Sequence, residues 1–174
     1  MCAVSIQTRS TSIVLAALYC TPSKRIDAVD FDLVFQNLGP CWLAGGDYNA
    51  KHSHWGSRCI TPRGRELAKV AEQRQYDFIS NGEPTYWPSD PLRNPDVIDF
   101  FLSRGTTRRH CAVSTVADLS SDHIPVFLDY ATSPQPTICP AGLSNKYTNW
   151  EKFRELIEKN IILGQKITTP DQLN

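Results

Sequence analysis

Glutamate is missing from the chain until Glu66, and asparagine until Asn37. No glutamate precedes Tyr19, which limits the carboxylates available to hold a metal ion. The six cysteines (Cys2, Cys20, Cys41, Cys59, Cys111 and Cys139) include no C-x-x-C pair. That dispersal argues against a zinc site or a disulfide framework and favours reduced intracellular thiols. No apolar run reaches the length of a membrane span, and the N-terminus lacks a signal-peptide layout. The expectation is a nuclear or cytosolic protein with no membrane partner. Net charge is also lacking: Lys+Arg and Asp+Glu are 18 each. Any nucleic-acid binding must rest on a local basic face. Arg104, Arg108 and Arg109 are the first candidates, and Arg63 with Arg65 the second. No internal repeat is present.

What remains is the composition of an ordinary globule, 174 residues with 41% hydrophobic and 21% charged, enough for one cored domain and a tail. Ala3 to Tyr19 reads as two strands joined by a polar turn. Apolar residues from Ile26 (Val29, Leu33, Val34, Leu38) follow helical spacing, closed by Gly39-Pro40. Cys41 to Ala44 is a short buried strand, and Gly45-Gly46 is expected to turn the backbone tightly before Asp47. Thr61 and Pro62 open a second helix with Leu67, Val70 and Ala71 on its buried side. Short strands follow near Phe78, Thr85, Val97 to Leu102, Cys111 to Val116 and Ile124 to Tyr130. The expectation is an α/β (α+β) layered globule over residues 1–131, a linker rich in Pro, Thr and Ser over 132–147, and a helical segment over 148–174. Thr148 and Glu151 form a capping-box pattern, with Trp150, Phe153, Leu156, Ile157 and Ile161 on one side of the helix that follows.

The chemistry concentrates in three blocks. In Gly46-Asp47-Tyr48-Asn49, residues two apart on an extended segment share a side, so carboxylate and amide can meet one phosphate. In Ser121-Asp122-His123, the imidazole titrates near neutrality and suits a general base or a partner for a crowded phosphorane, while Asp122 is a hard ligand for Mg²⁺. Asp99, opening Asp99-Phe100-Phe101-Leu102, can accept the other ring N–H of His123 and fix its tautomer. Such equipment suits metal-assisted phosphodiester hydrolysis. Tyr19 either touches the phosphate or packs in the core, and the same choice holds for Tyr86 and Trp87 beside a nucleotide. His52 and His54 have the spacing of a zinc pair but no further ligands, which favours a surface loop with Trp55 folded inward.

Taken in order, Tyr19 with Pro22, Gly46 to Asn49, Asp99 to Leu102 and Ser121 to His123 resemble the endonuclease/exonuclease/phosphatase superfamily that includes DNase I. The stretches Asn49 to His52, Trp55-Gly56-Ser57, Arg63 to Leu67 and Pro84-Thr85-Tyr86 are similar to endonuclease domains of jockey-type non-LTR retrotransposons. The resemblance implies a four-layer αββα sandwich that nicks DNA with Mg²⁺ (or Mn²⁺), leaving a 3′ hydroxyl to prime reverse transcription. It implies that Tyr19 and Asn49 contact the scissile phosphate, and that Asp47 activates water or protonates the leaving oxygen. Asp99 would orient His123, Asp122 would join the metal environment, and Thr85 and Ser121 would be secondary site residues facing DNA. The Ser103 to Arg109 hairpin would contact DNA. Set against the family's opening strands, with their asparagine and metal-binding glutamate, the chain is expected to begin part-way through the domain. Its expected partners are then DNA, a complementing N-terminal segment and the reverse transcriptase portion of a polyprotein. Two rival readings stand beside this one: a non-catalytic remnant that binds DNA or a polypeptide, and a phosphatase of the same superfamily.

Overall fold

A computed structural model describes residues 1–7, 12–106, 108–116, 121–131 and 148–160. The chain divides into two compact units, Met1–Thr137 and Ile138–Asn174. In the first, β1 (Cys2–Gln7), β2 (Ser12–Tyr19), β3 (Trp42–Asp47), β4 (Asp77–Ile79) and β5 (Asp99–Arg104) form a sheet in the order β1-β2-β3-β5-β4. Only β2 and β3 run parallel in it; every other pair is antiparallel. A parallel pair needs a crossover, and α1 (Ala28–Gln36) supplies it. That crossover brings the C-terminal ends of β2 and β3 to the same rim of the sheet.

Side-chain alternation along the strands separates two cores. Ala16, Trp42, Ala44, Phe100 and Leu102 face α1 and α2 (Pro62–Arg74), where they meet Phe31, Phe35, Leu67 and Val70. Ile13, Leu43 and Ile79 face the other way. There a second sheet of β6 (Cys111–Thr115) and β7 (Val126–Tyr130) covers them with Cys111, Val113 and Leu128. The layers among the described residues are thus helices, large sheet and small sheet. Aromatic rings fill the helix side: Phe35 stacks on Trp42 at 5.1 Å and Tyr48 on Phe100 at 4.4 Å.

Several expectations change. In α1 the buried residues are Phe31 and Phe35, while Val29 and Leu33 are exposed. Both stripes have helical spacing, and the one carrying larger rings is turned inward, where it removes more apolar area from water. Gly45 and Gly46 make no turn; β3 runs straight through them to Asp47. A Cβ at Gly46 would lie 1.9 Å from the Leu18 carbonyl oxygen and one at Gly45 2.3 Å from the Phe101 ring. Bare backbone is needed there for close packing. The second helix begins as expected, with Thr61 accepting from Gly64 N and Pro62 in its first turn. Trp55 is buried and donates its indole N–H to the Ala50 carbonyl, 3.1 Å away.

In the second unit, α3 (Trp150–Asn160) is capped by Asn149 rather than by Thr148. The Asn149 side chain accepts from Lys152 N at 2.9 Å, so the helix starts one residue later than the capping-box pattern implied. Trp150, Phe153 and Leu156 are exposed on it; Ile161 lies outside the described residues.

Candidate active site

The strand register assembles the site. Tyr19 pairs with Asp47 across β2 and β3, and Asp47 pairs with Asp99 across β3 and β5. Directly paired residues share a face, so the three side chains stand in a row at one rim, on the small-sheet side. His123, just ahead of β7, reaches this row. Its Nδ1 lies 2.9 Å from Asp99 Oδ2, and both side chains are partly buried. Asp47, Asp99 and His123 each offer a ligand atom, and these atoms lie within 4.8 Å of one another. Burial pushes the Asp47 carboxyl up from its ordinary range. The Asn49 N–H opposes that rise, the Asp99 charge adds to it, and His123 and Arg63 oppose it.

Asn49 meets Asp47 by a route the sequence did not show. The strand ends at Asp47, and Asn49 sits at φ 46, outside extended geometry. Its backbone N–H donates to Asp47 Oδ1 at 2.8 Å, and its side-chain NH₂ donates to Asp47 Oδ2 at 2.7 Å and to the Cys20 carbonyl at 3.1 Å. Asn49 therefore clamps the carboxylate, with both of its side-chain N–H groups committed to protein acceptors. Between the two residues, Tyr48 is fully buried and donates its hydroxyl to the Ala44 carbonyl. Tyr19 is 68% exposed at the rim, which leaves its phenol open to a ligand.

The loop that carries Tyr86 closes the other side. Tyr86 forms backbone bridges with both Asp96 and His123, and its ring centroid is 5.0 Å from the imidazole. Trp87, 51% exposed, donates its backbone N–H to the Asp122 carbonyl at 2.7 Å. Thr85 is only 1% exposed, so it is not on a DNA-facing surface. Its hydroxyl accepts from the backbone N–H groups of Ile98 and Asp99, at 3.1 and 3.0 Å, and so holds the start of β5. Ser121 is exposed and accepts from His123 N at 3.1 Å. Asp122 is exposed and stands outside the Asp47–Asp99–His123 cluster. Ser121 and Asp122 lie in a bend ahead of His123, where the Ser121 hydroxyl accepts from His123 N, so adjacency in sequence does not bring this carboxylate into the cluster.

The arginines divide differently from the expectation. Arg104 pairs with Trp42, at the far end of β5 from Asp99. Five residues of strand put it about 17 Å away, and Arg108 and Arg109 follow it in a 3₁₀ turn at that end. Arg104 therefore does not border the site. Lys24 and Arg25 line a cleft together with Asn49 and Arg63. Their signal in the sequence is only that they follow Tyr19 and Pro22 closely. Arg63 is no free surface cation either: its guanidinium is spent on backbone carbonyls.

A layered α/β fold with two carboxylates and a histidine gathered at one sheet rim belongs to a class of DNase I-like phosphoesterase folds. The chain belongs to the Endonuclease-reverse transcriptase family, whose model matches residues 13–127. It is 35% identical over 171 residues to the RNA-directed DNA polymerase from mobile element jockey of Drosophila funebris, covering 98% of this chain and 19% of that protein. It is 31% identical over 170 residues to the probable RNA-directed DNA polymerase from transposon BS of Drosophila melanogaster, covering 98% of this chain and again 19% of the relative. The chain thus spans about a fifth of the length of these relatives. Among solved structures, the endonuclease domain of TRAS1, a telomere-specific non-LTR retrotransposon, superposes with a TM-score of 0.64 at 26% identity, over 74% of this chain and 60% of that one. The fold is that of a retrotransposon-type endonuclease domain.

Proposed function

We propose that this domain hydrolyses a phosphodiester bond of DNA with the help of a divalent cation, Mg²⁺ by preference, and leaves a 3′ hydroxyl. The observation that carries the reading is the convergence of Asp47, Asp99 and His123, drawn from three separate stretches of chain, within 4.8 Å. Two carboxylates facing each other fit a hard cation, which favours oxygen donors. His123 fits less well as a ligand, because its Nδ1 is already engaged by Asp99. Asp47 and the remaining oxygen of Asp99 would therefore hold the ion. When bound, it neutralises charge on the phosphate.

The protein's own groups account for the rest. With Nδ1–H donated to Asp99, His123 presents Nε2 to a water molecule and accepts its proton as oxygen attacks phosphorus. The P–O3′ bond breaks, the departing 3′ oxygen takes a proton from solvent, and a 5′ phosphate remains. Asn49 fixes Asp47 in place, and Tyr19 donates its phenolic O–H to a phosphate oxygen. Lys24 and Arg25 on one flank, with the exposed Trp87 on the other, supply charge and a stacking face for the DNA strand. Similarity to RNA-directed DNA polymerases of mobile elements makes a reverse transcriptase the expected partner of the nicked end.

Plasmid nicking tests the reading. The purified chain is expected to convert supercoiled DNA to open circles with Mg²⁺ and to stop on chelation. His123→Ala is expected to cut the rate by about 10²- to 10⁴-fold, the usual contribution of a positioned base. Nicking that survives His123→Ala, or that ignores chelation, would end the proposal.

A further inference from the structure

We infer that Arg63 is a positioning residue whose guanidinium ties the exits of β2 and β3 together and thereby sets where Asn49 and Asp47 stand. The inference rests on the nuclease reading above and deepens it. Arg63 sits in the first turn of α2 and is partly buried, yet no carboxylate pairs with it among the described residues. Instead its Nη1 donates to the carbonyls of Cys20, Tyr48 and Asn49 at 3.4, 3.3 and 3.2 Å. Its Nη2 donates to the carbonyls of Thr21 at 2.7 Å, Pro22 at 3.5 Å and Lys24.

Those acceptors come from two loops that are distant in sequence. Cys20 to Lys24 follows β2, which ends in Tyr19; Tyr48 and Asn49 follow β3, which ends in Asp47. One planar fork spans both. The Cys20 carbonyl is the shared point, since it also accepts from the Asn49 side chain. The link therefore runs from Arg63 through Cys20 and Asn49 to the Asp47 carboxylate, with no contact between Arg63 and the reacting atoms.

The approach of α2 makes this reach possible. Lys51 N donates to Thr61 Oγ1 at 3.1 Å, and Thr61 N donates to the Lys51 carbonyl at 3.0 Å. Gly64 then passes so close that a Cβ there would lie 1.9 Å from the Lys51 carbonyl oxygen. The Pro62-Arg63-Gly64 turn is thus pressed against the β3 exit. An ammonium cannot replace the guanidinium: lysine has three donors on a single atom, whereas arginine carries five in a rigid fork wide enough for two loops.

The test uses the full chain with Arg63→Lys and Arg63→Ala, and Phe35→Leu as a core-weakening variant on the helix side. Nicking kinetics, thermal melting and amide hydrogen exchange are measured for each. Expected for Arg63→Lys is a fall in kcat of about tenfold to a hundredfold with KM for plasmid nearly unchanged. Phe35→Leu should lower the melting temperature and keep kcat well below the melt. Exchange should quicken in peptides spanning residues 20–24 and 48–50 of Arg63→Lys and not elsewhere. Full activity in Arg63→Lys, a loss carried only by KM, or unchanged exchange in both loops would overturn the inference. Should the wild-type chain fail to nick DNA, the nuclease reading falls, and exchange alone still decides whether Arg63 ties the two loops.

Discussion

Asp47 and Asp99 oppose each other in register across β3 and β5, and His123 is bonded to the second of them at 2.9 Å. The Asp99 charge adds to the cost of ionising Asp47, and positive charge on His123 opposes it. The site is therefore built to gather positive charge.

Replacing Asp99 by asparagine should keep the fold and lose the orientation of His123. An amide can present its NH₂ to Nδ1 and so favour the wrong tautomer. The expected loss in nicking rate is about 10²- to 10⁴-fold, with the melting temperature little altered.

The raised Asp47 carboxyl has a consequence for stability against pH. A group whose folded pKa lies above its unfolded value contributes stability at low pH, and that contribution is lost as pH rises through the folded value. For Asp47 the window opens at the ordinary carboxylate range, about 4, and extends upward from it. Asp47→Asn removes this loss. Melting scans from pH 4 to 7 should show the difference between variant and wild type moving in favour of the variant as pH rises; the opposite drift would contradict the burial-driven shift.

Thr85→Val would leave the buried N–H of Ile98 and the partly buried N–H of Asp99 without this acceptor. The expected cost is about 1–3 kcal/mol for each unsatisfied group, read from urea unfolding. Thr85→Ser retains the hydroxyl and should recover most of it.

The far end of β5 and the Tyr86–Trp87 loop are separable by DNA affinity. Arg104→Glu acts at the far end of β5 and should leave KM for plasmid unchanged. Trp87→Ala removes an exposed ring from the loop whose backbone N–H bonds the Asp122 carbonyl and should weaken DNA binding by about 1 kcal/mol or more, roughly fivefold in Kd. Filter binding or anisotropy with single-stranded and duplex oligonucleotides would measure both.

Much of this arrangement could be read from the chain. Asp47, Asp99 and His123 each flank an apolar strand, so their meeting at a sheet rim follows once the strands pair. Thr61 and Pro62 announced α2 by local chemistry alone. The remaining errors share a cause. Val29 and Phe31 both fit a helical period, and only the large sheet decides which of them is covered. Arg104 is near Asp99 in sequence, yet a strand carries it away at about 3.3 Å per residue. Thr85 and Arg63 are polar residues whose partners are backbone groups, and side-chain patterns say nothing about where backbone atoms from other segments will lie.

The parallel pairing of β2 with β3, bridged by α1, has a kinetic corollary. Residues 19, 47, 99 and 123 become neighbours only after the most distant segments have closed on one another, and such non-local closures come late and slowly. Chemical competence should then lag behind the gain of secondary structure during refolding. A chain caught midway would show its helices by circular dichroism and still leave DNA uncut.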